Sequence, residues 1–314
     1  MLNDVVLLFA GQGAQQTGMG ADLIDAYPLA RRRFEEASAI LGFDLSRVMF
    51  EGPMAELTRT SRCQPALYVH GIVCWELLQE RLPNLRPVAC AGLSLGEFTA
   101  HAVAGTFDFA TGLRLVAKRG ALMEDATNST AGSMAAMVGG EEDAVHELAA
   151  ECGVDVANFN APGQIVLSGK RDGIARALEV YSEKGIRVAK ELSVAGAYHS
   201  RLMQSAQDAL IPELAAAEIH VPRIPVVCNI AARPVTDAND IRDTLARQVT
   251  GSVRWSESMQ SLLALGNRTF LELGPSGVLA GLMRRIDRNA TVIRVEDLPT
   301  LQAAVEALSE AALA

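Results

Sequence analysis

The chain has 314 residues, 49% of them hydrophobic, and a formal net charge of −9. It is long and apolar enough for one large α/β domain, or for a large domain carrying a smaller one, which excludes disordered and fibrous classes. The acidic balance argues against a nucleic-acid partner, because phosphate affinity needs a basic surface.

In chain order, the first predicted strand is Val5 to Ala10. This run and the other apolar runs fall far short of the roughly 20 residues that cross a bilayer, so no membrane span is expected. No positive region or small-residue cleavage site marks the first residues, and a cytoplasmic protein is expected. The loop Gly11 to Gln15 follows. Position 16 is Gln where GxGxxG demands glycine, and no GK[ST] follows Gly18, so dinucleotide and P-loop sites are both excluded. An amphipathic helix spans Leu29 to Leu41 and stops at Gly42, and another spans Gln64 to Arg81, bounded by Pro83. A short buried strand, Val88 to Ala91, then leads into Gly92-Leu93-Ser94-Leu95-Gly96 and a helix from Glu97 to Ala104.

From Ser133 to Leu192 the order changes. Strand (Met134 to Val138), helix (Glu141 to Glu151), strand (Val154 to Phe159), strand (Gln164 to Ser168), helix (Arg171 to Lys184) and strand (Ile186 to Leu192) make a βαββαβ ferredoxin-like plan, with Asn160 to Gly163 as the central turn. Later strands are Val226 to Asn229, Phe270 to Leu273 and Val292 to Val295. The expected organisation is a large α/β domain of residues 1–130 and 196–314 with a mostly parallel sheet, carrying an inserted subdomain of residues 131–195. The cleft between the two bodies is the natural substrate site.

GxSxG between a strand and a helix is the pattern of an exposed serine nucleophile, with the N–H of the next residue, Leu95, facing an oxyanion. The Gly11 to Gln15 loop can bring the Gln12 N–H to the same oxyanion. Serine needs a base, and five histidines compete for the role. His101 lies seven residues beyond Ser94 on one helix, about 10 Å along the axis, and cannot reach it. His70 falls inside a helix, His146 among acidic residues of a surface helix, and His220 at a helix end near Pro222. His199, in a loop returning from the insert, is favoured. No single Asp or Glu completes a triad. Arg114, Lys118 and Arg119 share the second helix after Ser94, and spacing does not rank them; a guanidinium in the cleft would hold a carboxylate by two parallel hydrogen bonds. The five cysteines, Cys63, Cys74, Cys90, Cys152 and Cys228, form no CxxC pair and no Cys/His cluster, so reduced thiols and no metal are expected.

Taken together, the motifs GQGAQ (11–15), CQPAL (63–67), GLSLGE (92–97), KRG (118–120), NFNAPGQ (158–164), GAYHS (196–200), ARQ (246–248) and LGP (273–275) resemble those of malonyl-CoA:acyl carrier protein transacylases and polyketide synthase acyltransferase domains, from about Val5 to Ile286. The resemblance implies a hydrolase-like large domain with a ferredoxin-like insert. It implies Ser94 as the acyl-enzyme nucleophile, His199 as its base, Arg119 holding a malonyl carboxylate, Gln12 and Leu95 as the oxyanion hole, and the Gln248 backbone orienting the histidine. Gln64 and Asn160 would line the site. The partners it implies are malonyl-CoA as donor and a phosphopantetheinylated acyl carrier protein as acceptor, with no bound cofactor.

Two positions depart from the family pattern. Leu93 stands where many fatty-acid members have histidine, and Tyr198 stands where malonyl-selective members often have phenylalanine, which leaves fatty-acid or polyketide service open. The alternatives are an acyltransferase using another acyl-CoA, for which the Tyr198 hydroxyl leaves room, an acyl hydrolase clearing carrier proteins, disfavoured by Arg119, and a noncatalytic docking module, disfavoured by an intact Ser94 and His199. An acidic carrier protein would need a local basic patch on this acidic chain, either Arg31-Arg32-Arg33 or Arg284-Arg285 with Arg288. A monomer is expected, since no heptad pattern calls for a partner.

Overall fold

In the computed structural model, which describes residues 5–313, the apolar run Val5–Phe9 forms β1 with all five residues buried. A strand buried on both faces belongs inside a sheet covered on both sides. Val5, Leu7 and Phe9 enter one hydrophobic core and Val6 and Leu8 another, the second built with Trp255, Met259, Leu279 and Met283.

The strands are β1 (Val5–Phe9), β2 (Pro87–Gly92), β3 (Gly132–Val138), β4 (Asp155–Ala161), β5 (Gln164–Lys170), β6 (Val188–Glu191), β7 (Val226–Val227), β8 (Pro234–Val235), β9 (Thr269–Leu273) and β10 (Thr291–Val295). They form a six-stranded sheet of order β10-β9-β1-β2-β7-β8 and a four-stranded sheet of order β4-β5-β3-β6. Every pairing in the first is parallel except β7 with β8. The second is antiparallel throughout, and its order is that of a ferredoxin-like βαββαβ unit. Helices Glu142–Cys152 and Arg171–Val180 pack on one of its faces around a separate core that includes Leu148, Leu167 and Ile174. The α/β class, the mostly parallel main sheet and the ferredoxin-like unit all agree with the sequence analysis.

Several boundaries differ. Asn160 is not in a turn: β4 continues to Ala161, and the hairpin turns on Pro162 and Gly163, whose φ of 68° suits glycine. A register shift between Phe159 and Ala161 lets the strand carry the extra residue. The helix expected from Gln64 begins at Thr60 and runs through Pro65. Its extra first turn is secured by the Ser61 N–H donating to Glu124 Oε2 at 2.9 Å. The strand expected over Val226 to Asn229 stops at Val227, because Cys228 turns back to bond Arg233 and Asn229 leaves the sheet. Tyr181–Lys184 is a 3₁₀ turn appended to the Arg171–Val180 helix, and the last strand of the insert shrinks to Val188–Glu191, an exposed edge. His220 lies beyond the helix that ends at Ala216 and is exposed beside Glu218.

Candidate active site

The site is assembled at the C-terminal ends of β1 and β2, where parallel strands present their loops. Leu93 N–H donates to the Phe9 carbonyl at 3.0 Å, tying the elbow to β1. A Cβ on Gly92 would lie 1.9 Å from the Gly96 carbonyl carbon, and one on Gly96 would lie 2.1 Å from the Phe9 carbonyl oxygen. Only glycine allows a turn this tight. It leaves Ser94 at φ 55° and ψ −110°, a conformation strained for a residue with a side chain, immediately before the helix Leu95–Val103. Leu95 is thus the first helical residue, whose N–H has no carbonyl to bond within the helix.

Ser94 Oγ lies 2.7 Å from His199 Nε2. Nδ1 of the same ring is 2.8 Å from the Gln248 carbonyl and 3.2 Å from that of Gly251. Carbonyls only accept, so Nδ1 carries the proton and Nε2 is free to accept the one on Ser94. Gln248 is the C-cap of the helix Ala238–Arg247, so its carbonyl is one of the orphan acceptors at a helix C-terminus. Those acceptors, at the negative end of the helix dipole, stabilise an imidazolium as an aspartate would in a triad. The loop that carries His199 is fixed by Ser200, whose Oγ donates to the Ala197 carbonyl at 2.7 Å and accepts from Leu202 N–H.

Arg119, 1% exposed, reaches the serine from the helix Phe109–Asn128. Nη2 donates to Ser94 Oγ at 3.2 Å and to Gln248 Oε1 at 2.8 Å, and Nη1 donates to Gln64 Oε1 at 2.8 Å. No carboxylate lies within ion-pair distance of it among the described residues. Burial lowers Arg119 to about 10, leaving it charged near neutrality. Burial, and then the Arg119 charge, push His199 down to about 4 against the raising effect of the two carbonyls. A neutral imidazole therefore faces the serine at working pH, which is the form a general base needs.

The acyl transferase domain family matches residues 6–313. The chain belongs to that family. This acyltransferase is 38% identical over 314 residues to the malonyl CoA-acyl carrier protein transacylase of Bacillus subtilis, covering 98% of each chain. It is 39% identical over 290 residues to the polyketide biosynthesis malonyl CoA-acyl carrier protein transacylase PksC of the same organism, covering 91% of this chain and 98% of the relative. A solved malonyl-transacylase in complex with its type II PKS acyl-carrier protein is similar at a TM-score of 0.93 and 36% identity, covering 97% of this chain and 99% of that one.

In the acyltransferase, Ser94, His199, Arg119, Gln64 and Gln248 form one hydrogen-bonded cluster, and Leu95 adjoins it in sequence. Gln12 stands at its edge: its side chain is 3.4 Å from the Tyr198 hydroxyl, which in turn lies 2.6 Å from Thr60 Oγ1. Asn160 has no hydrogen bond to any of these groups, and its buried Oδ1 is without a partner. His70 and His101 are fully buried elsewhere, bonded to Cys74 and Thr106. Arg114 and Lys118 do not join the cluster, and Lys118 pairs instead with Glu213.

Sequence reasoning missed Asn229. Its Oδ1 accepts from the Ser94 N–H at 2.6 Å and its Nδ2 donates to the Gly92 carbonyl at 2.7 Å, so it braces the elbow from 135 residues away. A lone asparagine after a two-residue strand gives no local signal of that role. Among the described residues no group of three or more His, Cys, Asp or Glu could hold a metal ion, and no helix is long and apolar enough to cross a membrane.

Proposed function

We propose that the protein transfers a malonyl group from malonyl-CoA to the phosphopantetheine thiol of an acyl carrier protein through an ester on Ser94. The observation that carries this reading is the buried, ion-unpaired Arg119 guanidinium set 3.2 Å from the oxygen that His199 activates. A cation so close to the nucleophile suits an acyl group that ends in a carboxylate.

In the first half-reaction Ser94 Oγ attacks the thioester carbonyl while its proton passes to His199 Nε2. The backbone N–H groups of Gln12 and Leu95 receive the oxyanion, each worth about 2.7–4 kcal/mol of barrier. The C–S bond then breaks, and the imidazolium returns the proton to the departing coenzyme A sulfur. In the second half the same imidazole takes the proton of the carrier thiol, the new sulfur attacks the ester, and Ser94 leaves with the proton restored. Gln64 holds the guanidinium, and Gln248 orients both the guanidinium and the imidazole.

A groove of about 560 Å³ is lined by Glu142, His146 and Phe159 of the insert and by Gln207, Ile230, Thr250 and Gly251 of the larger body, and none of Ser94, His199 and Arg119 lines it.

The test is transfer from malonyl-CoA to holo carrier protein, with the intermediate trapped by intact mass. Malonyl adduct confined to a peptide containing Ser94, and absent in Ser94→Ala, supports the reading. Adduct on another residue, or release of the label to water faster than to the carrier thiol, refutes it.

A further inference from the structure

Glu97 is 0% exposed in the first turn of the helix that follows the nucleophile, and the mechanism above does not use it. Its Oε2 accepts from the Asn229 N–H at 3.0 Å and from Gln248 Nε2 at 2.7 Å, while Oε1 has no partner. Burial pushes this carboxyl up to about 7. A carboxyl buried without an ion pair costs a fold stability, so its contribution is to be sought in what it holds.

It holds the two residues that hold everything else. Asn229 clamps the Ser94 N–H and the Gly92 carbonyl, which fixes the strained elbow from below. Gln248 Nε2 also donates to the Ser94 carbonyl at 2.9 Å, its Oε1 accepts from Arg119, and its backbone carbonyl accepts from His199. The orientation of the Gln248 amide is forced by these contacts, because only the nitrogen can face two acceptors and only the oxygen can face a guanidinium. One of those two acceptors is Glu97. Without it the amide nitrogen keeps only the Ser94 carbonyl, and the acceptor that aims Arg119 is held less firmly.

We infer that Glu97 is a positioning residue for acyl transfer: through one buried oxygen it locks Asn229 and Gln248, and through them sets Ser94, His199 and Arg119 in mutual register. The role rests on the proposed Ser94 ester. It requires an acceptor at this point and not a negative charge, so glutamine, whose carbonyl oxygen can replace Oε2, preserves it.

The test is single-turnover malonylation of Ser94 at saturating malonyl-CoA, with thermal unfolding of each variant alongside. Glu97→Leu is expected to slow acylation by about tenfold, the scale of one lost buried hydrogen-bond partner. Glu97→Gln is expected to stay within about threefold of wild type, and Glu97→Leu placed on Gln248→Leu to add clearly less than the roughly tenfold it costs alone, since one of the two residues it acts through is gone while Asn229 remains. If Glu97→Leu does not fold, Glu97→Asp, which withdraws the acceptor while keeping the charge, replaces it with the same expected slowing. The inference is overturned by a folded Glu97→Leu or Glu97→Asp that acylates at the wild-type rate, by Glu97→Gln as slow as Glu97→Leu, or by losses that simply add in the double variant. Wild type that takes no malonyl group on Ser94 would remove the proposed transfer and this role with it; a normally labelled wild type beside an unaffected Glu97 variant would remove only the role.

Discussion

Arg119→Ala should change which acyl group the enzyme accepts more than it changes the chemistry. The guanidinium is buried and bonded to Gln64, Gln248 and Ser94, and its Nε has no partner. A malonyl carboxylate docked there becomes half of a buried ion pair, and deleting one partner of such a pair costs about 3–5 kcal/mol. Ser94 is only half-buried and its surroundings can admit water, so the lower end applies. About 3 kcal/mol corresponds to roughly a 10²-fold loss in kcat/KM for malonyl-CoA. An acetyl group has no carboxylate to lose, and its acylation rate should stay within about threefold of wild type. The malonyl-to-acetyl preference therefore falls about 10²-fold, read from intact-mass acylation rates with the two donors. Arg119→Lys should recover only part of the preference, because an ammonium lacks the planar fork. Equal losses for both donors would refute the carboxylate clamp and leave Arg119 as a support for Ser94 alone.

Because His199 is held down at about 4, it remains a neutral base well below the ordinary histidine range and is protonated only as the pH approaches that value. The rate of malonyl-enzyme formation, measured by pH jump, should hold level down to about pH 5 and fall below it; an acid limb near 6.5 would contradict the buried, cation-flanked imidazole. Arg284, Arg285 and Arg288 are exposed around a depression beside Pro162 without a carboxylate partner among the described residues, whereas Arg33 is already paired with Glu36 and Glu76. Charge reversal of the first group should raise the KM for carrier protein and leave transfer to free pantetheine unchanged; equal effects on both acceptors would count against docking there. Gly96→Ala places a methyl 2.1 Å from the Phe9 carbonyl oxygen, and the overpacking should cost about 3 kcal/mol of stability in denaturant unfolding, with acylation lost even where the chain still folds. An unperturbed Gly96→Ala would mean that the elbow is looser than its contacts imply.

The parts of the site that sequence reasoning reached are those with local signals. Ser94 is framed by glycines whose absence of side chains the turn requires, and His199 follows a change of strand and helix order that marks the end of the insert. Arg119 could not be separated from Arg114 and Lys118 by pattern, because its distinction is the inward face it occupies on the helix Phe109–Asn128. Asn160 sat in a proline- and glycine-bearing stretch that reads as a turn. The strand nevertheless continues through it, because pairing with β5 and a register shift outweigh local turn propensity.

By itself the sequence marked the α/β class, the βαββαβ unit, the glycine-framed turn at Ser94 and His199 as its candidate partner, since periodicity, glycine placement and motif order are all written within short windows of chain. Only the tertiary structure showed that the Gly251 carbonyl joins that of Gln248 at His199 Nδ1, that Asn229 bonds the Ser94 turn, and that Glu97 bonds both Asn229 and Gln248. Those contacts join residues separated by 49 to 151 positions. A hydrogen bond that exists only once distant elements have packed leaves no periodic or compositional trace in the chain, because its partners are chosen by where the sheet and the helix ends bring them.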